Sequence, residues 1–277
     1  MRKFMQLTAL VLIITLAASL LAGCGQKSSS KQLKVGLECN YAPFNWTQTD
    51  NSNGAVAISN SSNEYAGGYD VEIAKQLATK LGKELVIVKT EWDGLIPALT
   101  SGKIDAIIAG MSPTAERKVT VDFSDFYYRS DLVIVVKKDS PFAAAKSIAD
   151  FTGAKITGQL NTFHYQVIDQ ITGVSKETAM DNFPAMVVAV ESGKIDGYIS
   201  EKPGAISAVA SNPDLTYVAF ESGKGFSYAD ENVAIAVAVR KGSADMIKQI
   251  NEVLAAIPQD KRDEMMTTAI KTQPVTQ

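Results

Sequence analysis

The residues of this chain best suited to chemistry stand in Gly110-Met111-Ser112-Pro113-Thr114-Ala115-Glu116-Arg117. The apolar run Ile104 to Ala109 before them reads as a short buried strand, bounded by Gly102 and Gly110. The turn that follows puts small residues and free backbone N–H groups at the carboxyl end of that strand. Glu116 and Arg117 then fall in a first helical turn. In open α/β sheets, ligands bind outside the carboxyl ends of the strands. A planar guanidinium beside unpaired N–H groups suits a carboxylate. Taken alone, an arginine after a turn is more often a solvated helix residue.

The elements that must position this turn occur twice. Ser-Gly-Lys-Ile-Asp stands at 101–105 and again at 192–196. Each copy follows an apolar i, i+3, i+4, i+7 stripe, Trp92, Leu95, Ile96, Leu99 and then Phe183, Met186, Val187, Val190, which is one face of a helix. Gly102 and Gly193 are placed to end those helices in the left-handed conformation. Strands 104–109 and 195–199 follow, the second ending at Ser200-Glu201-Lys202-Pro203. Helix–Gly–strand units are common, but the shared flanks favour two related lobes.

A chain of 277 residues is comfortable for two domains. With 27 basic and 30 acidic residues its net charge is −3, and Arg2 and Lys3 lie in the amino-terminal segment, so the remainder is more acidic still. No nucleic-acid partner is expected of such a balance. The two cysteines, Cys24 and Cys39, make no disulfide framework, and the lone His164 makes no histidine metal cluster. No P-loop or Gly-x-Ser-x-Gly motif occurs, and no cofactor or metal is expected.

Residues 1–23 read as a secretory signal: Arg2 and Lys3, then an almost wholly apolar Leu7 to Ala22. Leu21-Ala22-Gly23-Cys24 resembles the lipobox of bacterial lipoproteins, which implies lipidation at Cys24. The polar, Ser-rich Gly25 to Lys31 would be a flexible tether, so that 24–32 is lipidated cysteine plus linker. A diacyl anchor suffices for stable attachment to a membrane surface.

The folded part starts near Leu33. Strands are expected at 33–38, 84–89, 132–137, 154–159, 215–220 and 232–240, and helices at 69–81, 162–172, 244–257 and 259–270, the last two parted by Pro258. The Asn/Ser-rich 47–63 reads as an exposed loop. Alternating strands and helices imply parallel sheets. The fold class is therefore α/β and two-lobed, with lobe 1 at 33–130 and 232–277, lobe 2 at 131–231, and crossings near 129–132 and 229–233.

Tyr41-Ala42-Pro43-Phe44, Gly68-Tyr69-Asp70-Val71-Glu72-Ile73-Ala74, Trp92-Asp93-Gly94-Leu95-Ile96-Pro97-Ala98-Leu99, Ser112-Pro113-Thr114-Ala115-Glu116-Arg117, Asp122-Phe123-Ser124 and the two Gly-Lys-Ile-Asp copies occur in this order over 33–270. With them the chain resembles the periplasmic-type solute-binding proteins of amino-acid ABC transporters, the family of the lysine/arginine/ornithine-, histidine- and glutamine-binding proteins. The resemblance implies a periplasmic-binding-protein-like fold of type II, two lobes closing on a ligand about two hinge strands.

It also implies roles. Arg117 would hold an α-carboxylate, helped by backbone N–H groups at Ser112 and Thr162. Gly110 and Ser112 would offer acceptors to the α-ammonium, and Glu201 would pair with it. Tyr41 and Trp92 would sandwich the ligand side chain, and Glu38 would meet its polar end. Asn161 stands where relatives often have glycine, and asparagine tolerates the left-handed conformation. By ordinary expectation Trp92 is core, Glu201 a surface acid, Asp70 an N-cap for helix 69–81, and Cys39 a small half-buried residue.

The function implied is an extracytoplasmic solute-binding lipoprotein, not an enzyme. It would be a monomer anchored at the cell membrane, delivering a small polar L-amino acid to an ABC transporter permease. Arginine or lysine is favoured, histidine is possible, and glutamine is the alternative ligand. A dehydratase-type enzyme would need a general acid or base near neutrality, which Glu38 or Glu201 could supply. A sensing domain would need a signalling segment.

Overall fold

In the computed structural model, which describes residues 31–274, both copies of Ser-Gly-Lys-Ile-Asp do the same mechanical job. Gly102 (φ 79°) donates its N–H to Leu99 O at 3.1 Å and Lys103 to Ala98 O at 2.9 Å; Gly193 (φ 72°) donates to Val190 O at 3.0 Å and Lys194 to Ala189 O at 2.9 Å. These paired bonds cap the last helical carbonyls as a Schellman motif does. The isoleucine then enters the core. Asp105 donates its N–H to Lys34 O at 2.8 Å and accepts the Lys34 N–H at 3.0 Å. Asp196 does the same with Lys155, at 2.8 Å in both directions. Each motif thus stops a helix and clips the next chain segment to a neighbouring strand, the one that holds Lys34 or the one that begins at Lys155.

Strand β1 (Gln32–Leu37) is followed by four short strands, β2 (Asn40–Tyr41), β3 (Asn45–Gln48), β4 (Val56–Ala57) and β5 (Tyr65–Gly67). Then come α1 (Tyr69–Lys80), β6 (Glu84–Lys89), α2 (Trp92–Thr100), β7 (Ala106–Ile107), α3 (Ala115–Thr120) and β8 (Val121–Arg129). Ser130 and Asp131 lead into β9 (Leu132–Lys137), β10 (Lys155–Thr157), α4 (Phe163–Gln166), β11 (Ser175–Lys176), α5 (Phe183–Glu191), β12 (Gly197–Glu201), α6 (Lys202–Ser211) and β13 (Leu215–Val218). The helical turn α7 (Asp230–Val233) returns the chain to β14 (Ala234–Arg240), and α8 (Ala244–Ala255) and α9 (Gln259–Thr272) follow.

Two five-stranded sheets result, in the orders β6-β1-β7-β14-β8 and β11-β10-β12-β9-β13. In each, three parallel strands are followed by two joined antiparallel. The second sheet therefore repeats the first, and in both the fourth position belongs to a strand beside a crossing. The crossings lie together, since Ala234 pairs with Arg129. The inner strands β9, β12 and β14 are buried on both faces, while the edge strands β6, β8, β11 and β13 are partly exposed.

Several elements differ from expectation. The segment 47–63 is not simply a loop, because β2, β3, β5 and β4 form a small antiparallel sheet over α1. Trp46 lies across β5 there, and a Cβ on Gly67 would come within 2.8 Å of its ring. Strand pairing after Gly102 is confined to Ala106 and Ile107. The helix expected over 162–172 tightens into a 3₁₀ turn at Val167–Gln170, where buried, β-branched Val167 and Ile168 support an α-helix weakly. Gly68, not Asp70, occupies the N-cap position of α1. The expected leader 1–23 and Cys24 lie outside the described residues. Among the described residues no helix is long and apolar enough to cross a membrane.

Candidate functional site

Arg117 belongs to α3, whose N-cap Thr114 accepts the Arg117 N–H through its side chain at 3.4 Å. From there the guanidinium reaches into the space between the two sheets. It donates to Ser112 O at 2.9 Å on its own side and to Asn161 O at 2.9 Å on the other, and it lies 5.0 Å over the centre of the Trp92 ring. Asn161 is in the left-handed conformation, φ 56°. Among the described residues no carboxylate stands within ion-pair distance of Arg117. Burial pushes its pKa down to about 10. Two of the five guanidinium donors are used on carbonyls, which leaves three that suit an anion.

Across the space, Glu201 ends β12 and is 2 % exposed. His164 Nε2 lies 2.9 Å from its Oε1, and the Tyr41 hydroxyl donates to its Oε2. Burial would raise this carboxyl, but the charge of His164 and the bonds from His164 and Tyr41 outweigh burial and hold it below the usual carboxylate range. Arg117 and Glu201 thus present one cation and one anion on opposite walls, the arrangement that receives a zwitterion.

Tyr41, Trp92, Gly110, Ser112, Arg117, Thr162 and Glu201 line one cavity, together with Gln159, Phe163, His164 and Asn232. Its free space is about 20 Å³, room for roughly one water. Gly110 has φ 62°, and a Cβ there would come within 3.0 Å of the Tyr41 ring. The two aromatics are not free faces in this closed arrangement. Tyr41 stacks on Phe183 with ring centres 4.1 Å apart and planes at 10°, and Trp92 carries the Arg117 guanidinium. A larger groove of about 240 Å³ lies between α5 and α6, lined by Phe183, Val187, Val188 and Ala208, but Arg117 and Glu201 are not part of it.

Glu38 stands just behind the cavity, 3 % exposed. Gln159 Nε2 reaches both of its oxygens, at 3.1 and 3.3 Å, and also Asp181 O at 3.0 Å. Burial pushes Glu38 up to about 8; the Gln159 bond lowers it in part, and Glu91 and Asp93 raise it further.

Beneath the cavity, Asp70 is fully buried. It accepts Tyr127 OH at 2.7 Å, Asn45 Nδ2 at 2.9 Å and the Gly110 backbone N–H, while Asn45 Oδ1 accepts the Cys39 N–H at 2.8 Å. Asp70 therefore ties the 38–45 turn to the 110–112 turn. Burial raises it to about 7 against these hydrogen bonds.

The family model for bacterial extracellular solute-binding proteins, family 3, matches residues 33–269. The chain belongs to that family. Family 3 proteins bind solutes rather than transform them, so this chain is a binding protein and not an enzyme. The chain is 32 % identical over 248 residues to a probable histidine-binding protein of Campylobacter jejuni, covering 89 % of this chain and 86 % of that one. It is 31 % identical over 261 residues to the arginine-binding extracellular protein ArtP of Bacillus subtilis, covering 92 % of each. Among solved structures, an amino-acid ABC transporter substrate-binding protein of Streptococcus pneumoniae bound to L-arginine is similar with a TM-score of 0.76 and 26 % identity, over 87 % of this chain and 94 % of that one. The two-lobed α/β fold is the family's.

Sequence reasoning passed over Gln159 and gave His164 no role. The available signal was position: both flank the Asn161-Thr162 turn, the counterpart in the second half of the turn that carries Ser112.

Proposed function

We propose that this family 3 protein is an extracytoplasmic receptor that delivers an L-amino acid to an ABC importer. The observation that carries the reading is Arg117, a half-buried guanidinium with no acid partner among the described residues, set across a small cavity from the buried carboxylate of Glu201. An amino acid satisfies both walls at once, its carboxylate on Arg117 and its ammonium toward Glu201. Ser112, Gly110 and Thr162 line the space between.

Arginine or lysine is the preferred ligand, because Glu38 is a second buried acid that a cationic side chain would pair with. Glutamine is the alternative. It draws support from the Gln159–Glu38 bond and from a carboxyl raised to about 8, which is largely neutral at pH 7 and suits an amide. Cys24, behind Leu21-Ala22-Gly23, supplies a diacyl anchor, so the receptor works as a monomer tethered to the outer face of the cell membrane beside its permease.

A thermal-shift screen against the twenty amino acids, ornithine and citrulline tests the reading. A ligand at a hundred times its Kd adds about 2.7 kcal/mol to stability. A clear shift with arginine or lysine supports the cationic preference, and a shift with glutamine alone supports the alternative. A flat panel removes the amino-acid reading.

A further inference from the structure

Two voids lie back to back in the molecule, and a stack of two aromatic rings stands between them. Tyr41 borders the cavity that holds Arg117 and Glu201, and Phe183 borders the groove between α5 and α6. The two rings stack face to face, with centres 4.1 Å apart and planes at 10°. Gly204 borders the groove too, and a Cβ there would come within 3.2 Å of the Tyr41 ring, so that ring lies against the groove from its far side. Phe183 is the first residue of α5 and is 7 % exposed. Its ring also meets His164 edge-on, at 6.0 Å and 83°. Tyr41 and His164 both line the cavity, and both bond Glu201. The Phe183 ring therefore backs the Glu201 end of the cavity. The void beyond it is the larger, about 240 Å³ against about 20 Å³. What fits at this end is limited by the rings and not by a lack of space behind them.

We propose that Phe183 is a specificity residue of the receptor: its ring is the partition that limits the ligand to a single amino acid and excludes one extended through its α-nitrogen, as a dipeptide is. The inference rests on the amino-acid reading above, in which the ammonium lies toward Glu201. A group added to the α-nitrogen then runs toward Tyr41 and Phe183, two rings already in contact. A packed interior does not yield to added bulk without strain, and a clash built against a competitor is a source of specificity. With the Phe183 ring cut back, the added group gains the space the ring filled and the groove behind it. A glycyl unit has fewer heavy atoms than a phenyl ring. The ammonium at its end would face a groove bordered by the exposed acid Glu191.

Titration calorimetry on wild type and Phe183→Ala reads the partition. The probes are the best-bound amino acid of the panel and its glycyl dipeptide, arginine and glycyl-arginine where arginine leads. The quantity that decides is the ratio of the two dissociation constants within each protein. Wild type is expected to prefer the free amino acid by roughly a hundredfold or more, and Phe183→Ala to narrow that preference by about tenfold or more. A side chain with only a structural role would weaken both ligands alike and leave the ratio where it was. That result overturns the proposal and leaves the amino-acid reading standing. A wild type that binds the dipeptide as tightly as the amino acid overturns it too. A panel with no binder overturns both. Should Phe183→Ala fail to fold, Phe183→Val is read by the same ratio.

Discussion

Asn161 Nδ2 donates to Asp93 Oδ1 at 2.9 Å, joining the turn after β10 to the first turn of α2 on the opposite side of the cavity. It is one of several bonds that cross. Gln159 reaches Glu38, Arg117 reaches Asn161 O, and Tyr41 reaches Glu201. A ligand held by both walls favours the closed arrangement through its differential affinity. Removing one of these crossing bonds should therefore weaken binding without unfolding anything. Asp93→Ala is expected to cost about 0.5–1.5 kcal/mol of binding, roughly two- to twelvefold in Kd, with an unchanged unfolding midpoint. Calorimetry on the variant checks it. Unaltered affinity would remove this bond from the closing step.

Arg117 carries a prediction with two opposite signs. Losing one partner of a buried ion pair costs about 3–5 kcal/mol, so Arg117→Ala is expected to abolish measurable binding. In this structure Arg117 donates to two carbonyls and burial works against its charge. The same variant should then unfold at the wild-type temperature or above it. Affinity within threefold of wild type would take Arg117 out of the site.

The fold was largely legible because its strongest signals are periodic. Strands β6 and β9 are near-continuous apolar runs, β1 alternates, and the helix before each Gly-Lys-Ile-Asp shows its stripe openly. The small sheet around Trp46 was not legible, since its strands are two to four residues long and set among asparagines and serines. Arg117 and Ser112, which stand out by type and position at a strand end, both line the cavity. Gln159 and His164 do not stand out, because their importance lies in partners 121 and 37 residues away, Glu38 and Glu201, which no local pattern records. Asp70 was misplaced for a related reason. An acid in a first helical turn reads as a cap, and only tertiary packing turns it inward to Tyr127 and Asn45.

The repeated Asp105 and Asp196 allow a paired test. Each carboxylate accepts a backbone N–H from the strand second in the order of its sheet, Lys34 of β1 and Lys155 of β10. Asp105→Ala and Asp196→Ala should each cost about 0.5–1.5 kcal/mol, the net worth of one hydrogen bond, and the double variant about the sum, since the two act in separate sheets. The long Arg240 contact to Asp105, at 3.4 Å and partly solvated, should add little. Urea unfolding of the three variants measures it. A cost confined to one site would show that the two copies do different work.

The pH dependence of stability should run against the usual direction for carboxylates. Glu38 is raised from 4.5 to about 8 and Asp70 from 3.8 to about 7, burial being the main cause in both. Between the unfolded and folded values the folded protein holds more protons, so stability falls as pH rises through that window. Glu201 is lowered and acts in the opposite sense, its contribution being lost only as pH falls below the ordinary carboxylate range. The ligand-free protein is therefore expected to unfold at a higher temperature at pH 5 than at pH 8. Glu38→Gln should remove the Glu38 share of that slope and keep the part due to Asp70. A cationic ligand adds a second readout. Pairing with Glu38 favours its ionised form, so arginine binding at pH 7 should release up to one proton, whereas glutamine should release none. Calorimetry in buffers of different ionisation enthalpy counts the proton. A Glu38→Gln variant with the wild-type slope, or arginine binding with no proton release, would show that Glu38 is not the group that titrates.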